Sequence, residues 1–193
     1  MTVWLVRHAQ PLIAPGVCYG ALNVAADATA TQEAAQKLAK ALPLSPSGGH
    51  PHPFTVWVSP LQRCEQLAQA LQGLRPDLAF KTDARLQEMN FGAWEGQRWD
   101  AIARHELDAW TDNFSAWRCG GGESVAQFMQ RVAAAWDAFT ASHRRGVWLT
   151  HAGVIRAASL IAANQRTVLH AHQWPAAAPE FGQWQTLDNT PRS

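Results

Sequence analysis

A chain of 193 residues, 47% hydrophobic and 16% charged, is long enough to bury one substantial core and too apolar to be disordered. Sixteen Lys and Arg against fifteen Asp and Glu leave a formal net charge of +1, which gives no basic footprint for nucleic acid or an anionic membrane. Any anion binding must be local.

The chain is read as a single domain over residues 1–193. It opens on Thr2–Val6, an apolar run that reads as a buried strand of a parallel sheet. Arg7 and His8 close that strand and are delivered to the carboxyl edge of the sheet, where open α/β folds bind ligands. No signal-peptide pattern is seen and no run is long enough to span a bilayer, so a cytoplasmic protein is expected. Thr29–Leu42, rich in Ala, Gln, Glu, Lys and Leu, predicts a helix. Pro43–Pro53 reads as a surface loop. Thr55–Val58 predicts a second strand, followed by a helix over Leu61–Leu71 that Ser59 caps, with Pro60 in its first turn. Ala79–Thr82 is extended. The Trp-rich, locally helical stretch from Gly92 to Gly122 is expected to cover the site as a lid. Ser124–Ala141 predicts a helix with Val125, Phe128, Met129, Val132 and Trp136 close to one face. Val147–Thr150 predicts a third strand that ends in His151. Gly153 introduces a last helix, Val154–Ala163, and Pro191–Ser193 is expected to fray. Strands alternating with helices predict an α/β three-layer sandwich with a mainly parallel central sheet.

Two strand-end histidines, the first preceded by an arginine, suggest a site for an anion, a phosphoryl group above all. Arg63, at the start of the helix after the second strand, lies near the same edge. Glu88 falls in a loop ahead of Phe91-Gly92-Ala93-Trp94-Glu95-Gly96, with Glu95 as a rival carboxylate. A neutral imidazole is a competent nucleophile near physiological pH because its unperturbed pKa is about 6.5. Guanidinium groups suit bidentate contact with phosphoryl oxygens. Cys18, Cys64 and Cys119 have no metal spacing and read as reduced thiols. The ten tryptophans read as packing, with one or two expected at a substrate pocket. Cys18 and Tyr19, after a Pro/Gly loop, are candidates for the substrate border, ordinary packing being the competing reading. Glu123 and Ser124 mark a helix start, and Arg156 is assigned to a solvated or packing face of the last helix. His50-Pro51-His52 and His170-Ala171-His172 read as incidental surface histidines, so no metal site is expected.

Five pieces, in order, carry a family resemblance: Arg7-His8 after the first strand; Ser59-Pro60-Leu61-Gln62-Arg63; Glu88 ahead of Asn90-Phe91-Gly92-Ala93-Trp94-Glu95-Gly96; Gly121-Gly122-Glu123-Ser124; and Thr150-His151-Ala152-Gly153. Over positions 3 to about 156 the chain resembles the histidine phosphatase superfamily, the phosphoglycerate mutase-like proteins. The resemblance implies a phosphomonoester hydrolase that needs no metal or cofactor. It makes His8 the phosphoryl acceptor, Arg7, Arg63 and His151 the phosphoryl clamp, and Glu88 the proton donor. Tyr19, Asn23 and Gly153 are its substrate-binding candidates. Ala9 stands where most members have Gly. Gln10-Pro11 and Gly16-Val17-Cys18-Tyr19-Gly20 resemble the α-ribazole phosphatase branch, which acts in assembling the lower ligand of cobalamin; Ala21 and Asn23 stand where that branch often has Arg and Asp. The chain is shorter than the usual phosphoglycerate mutases and lacks their long insertion before Gly121, which points to hydrolysis over mutase chemistry. The implied partner is a small-molecule phosphomonoester, with no nucleic acid and no membrane. Oligomeric state is open, a homodimer included. The rival readings are a broad-specificity small-molecule phosphatase, a mutase-like enzyme, and a phosphate-binding regulatory module. The last would be marked by loss of the nucleophile or proton donor, and this chain keeps both His8 and Glu88.

Overall fold

The computed structural model describes residues 2–44, 54–142 and 145–188. Most of the expected loop (45–53, with His50 and His52) and the 191–193 tail lie outside the described residues. Among the described residues, five strands form one sheet: β1 (Thr2–Arg7), β2 (Phe54–Val58), β3 (Ala79–Thr82), β4 (Arg145–Thr150) and β5 (Trp184–Asp188). Their order is β3-β2-β4-β1-β5. All neighbours pair in parallel except β5, which runs antiparallel along β1. Five α-helices accompany them: α1 (Ala28–Ala41), α2 (Gln62–Leu74), α3 (Arg104–Asp112), α4 (Val125–Ala141) and α5 (Ala152–Ala162). The expected α/β sandwich with a mainly parallel sheet is what the chain forms.

Period-2 alternation of the strands divides the core into two faces. On one, Val6, Val56, Val147 and Leu149 pack with Leu38 of α1 and Leu67 and Leu71 of α2. On the other, Val3, Leu5 and Trp148 pack with Phe128, Val132 and Trp136 of α4 and Ile155 and Ala158 of α5. Burying each such Val, Leu or Ile stabilises the fold by roughly 1.5–3 kcal/mol relative to leaving it in water. A central strand covered on both faces reads as a continuous apolar run, which is why β1 and β4 were legible.

Local chemistry corrects two boundaries. Ser59 does not cap α2, and Pro60 lies outside it: the helix begins at Gln62 with Leu61 as an N-cap that lacks a side-chain bond. The Ser59 hydroxyl instead meets His151 Nε2 at 2.8 Å. The Gln62 N–H is met from far away, by Asn23 Oδ1 at 2.8 Å. The last helix starts at Ala152, so Gly153 lies inside its first turn. α3 falls within the stretch read as locally helical, though its bounds were not; it has no capping side chain and buries none of its residues fully. One element was not foreseen. β5 is a half-exposed edge strand whose mixed sequence, WQTLD, has no clean apolar alternation.

Candidate active site

Adjacent strands β2, β4 and β1 end in Ser59, His151 and His8, and the register ties those ends together. His8 N–H donates to Thr150 O at 3.0 Å, and Ser59 N–H donates to Leu149 O at 3.0 Å. The two imidazoles therefore face each other, with ring centroids 5.1 Å apart. Arg63, carried in the first turn of α2, is completely buried beside them.

Hydrogen bonds settle both tautomers. His8 Nδ1 lies 2.7 Å from Ala9 O, a carbonyl that can only accept, so Nδ1 carries the proton and Nε2 keeps its lone pair. Arg63 Nε–H is shared between His8 Nε2 and His151 Nδ1, each at 3.2 Å. His151 Nδ1 is thus an acceptor, and its Nε2–H donates to Ser59 Oγ. Burial, then the Arg63 charge, pulls the His8 pKa down from 6.5 to about 3. The same two causes hold His151 well below its ordinary value. Both rings are neutral at physiological pH. For His151 to act as a charged member of the expected phosphoryl clamp, a phosphoryl anion at the site must raise its pKa.

Arg63 is fixed by the loop that follows Tyr19. Its Nη1 donates to Leu22 O at 2.8 Å and its Nη2 to Gly20 O at 2.6 Å. That loop hangs in turn on Glu95, whose carboxylate accepts the backbone N–H groups of Gly20, Ala21, Leu22 and Phe91 at 2.8–3.0 Å. A Cβ at Gly20 would collide with Met89 O, so only glycine allows this close approach. The rivalry between the two loop carboxylates is resolved by placement: Glu95 is spent on backbone, whereas Glu88 reaches the site.

Glu88 Oε2 accepts the Gly153 N–H at 2.9 Å, and Oε1 accepts the Met89 N–H at 3.1 Å. Any side chain at Gly153 would collide with the Glu88 carboxylate, so this candidate binding residue is the seat of Glu88. Behind it, Arg131 donates to Arg85 O, Gln87 O and Glu88 O and pairs with Glu123 at 2.7 Å, stapling the Glu88 loop to α4. Ser124 caps α4 in a capping box with Gln127, as its helix-start reading requires.

Arg7 stacks its guanidinium carbon 3.8 Å from the Phe181 ring centroid and donates to Pro179 O at 3.0 Å. Its Nε is buried without a hydrogen-bond partner in the protein. The Tyr19 ring centroid lies 5.4 Å from the Arg63 guanidinium carbon, and the Arg7 and Arg63 charges both act on its hydroxyl. The Ala9 methyl is taken into the α1–α2 core, so the position does not require glycine. Asn23 is exposed, and its carboxamide serves α2 rather than the site. Cys18 is fully buried in the core, in line with its packing reading, and all three cysteines are free. No group of three or more His, Cys, Asp or Glu side chains that could hold a metal ion occurs among the described residues.

Two cavities adjoin Glu88. One, of about 460 Å³, is polar, with Asn90, Arg118, Glu123, Gln127 and Arg131 in its wall. The other, of about 380 Å³, is lined by Tyr19, Gly153 and Arg156 and by aromatic rings that include Trp110, Phe114 and Trp174. Arg156, assigned from sequence to a solvated or packing face, thus lines a cavity. The Trp-rich stretch supplies Trp110 and Phe114 to its wall, whereas Trp94 is buried in the core.

The model of the histidine phosphatase superfamily (branch 1) matches residues 3–178. The chain belongs to that superfamily. Among proteins of curated function none matches it by sequence. Solved structures similar to it include mycobacterial glucosyl-3-phosphoglycerate phosphatase Rv2419c in complex with VO3, at 26% identity and a TM-score of 0.74, covering 97% of this chain and 92% of that one. The same phosphatase with inorganic phosphate aligns at 25% identity and a TM-score of 0.73, over 97% and 89% of the two chains. TTHB049 from Thermus thermophilus aligns at 27% identity and a TM-score of 0.69, over 100% and 95%. The phosphoglycerate mutase-like fold expected from the motifs is the fold these structures share with it. Sequence reasoning found the charged ends of the site but missed Ser59, Glu95 and Arg131 as supports. Their partners are backbone groups and side chains mostly 8 to 92 positions away, which spacing does not reveal.

Proposed function

We propose that this superfamily member is a phosphomonoester hydrolase that works through a phosphohistidine on His8. The observation that carries this reading is the His8 tautomer: Nδ1–H is committed to Ala9 O, and the Nε2 lone pair is presented beside Arg63 and His151. Nε2 attacks phosphorus, the P–O bond to the leaving group breaks, and a proton from Glu88 goes to the departing alkoxide. The Nδ1–H bond to Ala9 O steadies the positive charge that the ring acquires. Glu88, now a carboxylate, takes a proton from the water that cleaves the N–P bond and releases free phosphate. Arg7, Arg63 and His151 supply charge and donors to the phosphoryl oxygens, so the chemistry proceeds without a metal. Solved complexes of the mycobacterial relative with VO3 and with inorganic phosphate support a phosphoryl-sized site in this fold.

The likeness of Gly16–Gly20 to the α-ribazole phosphatase branch makes α-ribazole 5'-phosphate the first specific ester to test, and the mycobacterial relative's name adds glucosyl-3-phosphoglycerate. A cytoplasmic setting fits both small-molecule substrates; no helix among the described residues is long and apolar enough to cross a membrane. The experiment is release of free phosphate from p-nitrophenyl phosphate and these esters in EDTA, with vanadate as inhibitor. Vanadate-sensitive phosphate release is expected. Vanadate binding with no turnover of any ester would favour the regulatory module, and interconversion of phosphoglycerates without net phosphate release would favour a mutase.

A further inference from the structure

The cavity of about 380 Å³ beside Glu88 is walled by an unbroken series of rings. Phe91 meets Trp110 edge to face at 6.3 Å, and Trp110 stacks on Phe114 at 5.5 Å. Phe114 meets Trp174 at 6.4 Å, and Trp174 reaches Phe128 at 6.2 Å. These rings come from the Trp-rich segment, the start of α4 and the chain beyond α5, and they converge only in the fold. A wall of this kind offers π-faces and apolar area, with few polar groups to fix orientation.

A second observation concerns hydrogen bonds left unmade. Among the described residues, the buried side-chain nitrogens without a partner in the protein are Arg7 Nε, Trp110 Nε1 and Arg156 Nε. Buried donors are nearly always paired, so each exception calls for an explanation. Arg7 adjoins the nucleophile, and both Trp110 and Arg156 line the aromatic cavity. Arg156 donates from Nη2 to Ala176 O at 2.9 Å, and the charges of both Glu88 and Arg7 act on it. It therefore stands between the phosphoryl end and the ring wall. Two of the three unpaired donors thus line the aromatic cavity, and the third lies at the phosphoryl end.

The polar cavity on the other flank of Glu88 provides the contrast. A sugar or glycerate leaving group brings a hydroxyl on almost every carbon, and each needs a partner. Arg118, Glu123 and Gln127 could supply such partners; the aromatic cavity, walled mostly by rings, offers too few polar groups for a polyol.

We infer that the natural leaving alcohol carries a flat aromatic ring, seated against Trp110, Phe114 and Trp174, with a hydrogen-bond acceptor beside the ring that Arg156 takes. This rests on the phosphomonoesterase reading and narrows it to one substrate class. The test compares kcat/KM for three esters that all leave as primary alkoxides: glycerol 1-phosphate, 3-phenylpropyl phosphate and 3-(4-carboxyphenyl)propyl phosphate. p-Nitrophenyl phosphate monitors the chemistry itself. The phenyl ester should exceed the glycerol ester by about 100-fold, a gain of the size that apolar pockets provide for several buried carbons. The carboxylate should add about tenfold through its charge-assisted bond. Arg156→Met should erase the carboxylate's gain and keep the ring's gain over glycerol, while Trp110→Phe, which preserves the stack, should lower the ring's gain only a few-fold. Equal or preferred turnover of glycerol 1-phosphate, with p-nitrophenyl phosphate still hydrolysed, overturns the aromatic assignment alone. So does a specificity profile that responds to Arg118→Met and not to Arg156→Met, because the polar cavity would then hold the leaving group. Failure to hydrolyse any ester, p-nitrophenyl phosphate included, overturns the phosphomonoesterase reading as well.

Discussion

The phosphoryl end and the leaving-group end of this site are built on opposite plans. At the phosphoryl end, His8, His151 and Ser59 sit at the ends of three adjacent parallel strands, and Arg63 is held at four points by two histidines and two carbonyls. Its groups are nearly all paired and buried. The leaving-group end is assembled from loops and helix flanks, is aromatic, and leaves two of its nitrogens unpaired. Strand ends fix atoms to a few tenths of an ångström, as chemistry at phosphorus demands. Loops let the same chemistry be applied to a different alcohol without disturbing the sheet.

If the phosphoryl end is preorganised as described, its parts should differ steeply in importance. Arg63→Met should cost about 10²–10³ in kcat on p-nitrophenyl phosphate, because it removes a preaimed cation from the transition state; a loss below fivefold would break the contrast. Glu95→Gln removes a charged acceptor from four backbone N–H groups and acts on Arg63 only through its loop. A roughly tenfold fall in kcat with little change in KM is expected, with a lower Tm, since an unsatisfied buried bond costs about 1–3 kcal/mol. An unchanged kcat with a lower Tm would mark Glu95 as purely structural.

The buried neutral histidines also predict a pH dependence of stability. His8 has a folded pKa of about 3 against 6.5 unfolded, so between these values the unfolded chain binds more protons. Its contribution is full above pH 6.5 and is lost as pH falls toward 3, at a slope approaching 1.4 kcal/mol per pH unit from about pH 6 to 4. His151 shifts in the same direction and adds to the effect. Urea unfolding at pH 4.5, 5.5 and 6.5 should show it, and His8→Asn should flatten the curve; an equally steep curve for the variant would contradict the burial of a neutral His8. The smallest effect is expected at Asn23. Asn23→Ala should lose the α2 cap, about 1 kcal/mol, with kcat/KM changed less than twofold. A large catalytic loss would return Asn23 to the substrate.

The difference between the two ends also explains what the sequence could show. β1 and β4 are continuous apolar runs closed by polar residues, so Arg7, His8 and His151 could be placed at a sheet edge from spacing alone. Arg63 follows β2 within one turn and was equally legible. Glu88 was legible only through its motif, because its seat is the Gly153 N–H, 65 positions away. Ser59 resembled an N-cap because a serine before a proline usually is one. Its hydroxyl had a stronger claim from His151, and the helix took Asn23 instead. Arg156 carried no local signal, since its helix pattern reads as packing until Ala176 is brought against it; Trp110 lies in the Trp-rich stretch that was expected to cover the site, but spacing did not single it out. β5 is held by its pairing with β1 rather than by its own propensity.

The central claim is the identity of the phosphoryl acceptor. Brief reaction with a ³²P-labelled phosphomonoester, alkaline quench and peptide mapping should place an acid-labile label on His8, and His8→Ala should carry none. Label on another residue, or undiminished labelling of His8→Ala, would contradict the account.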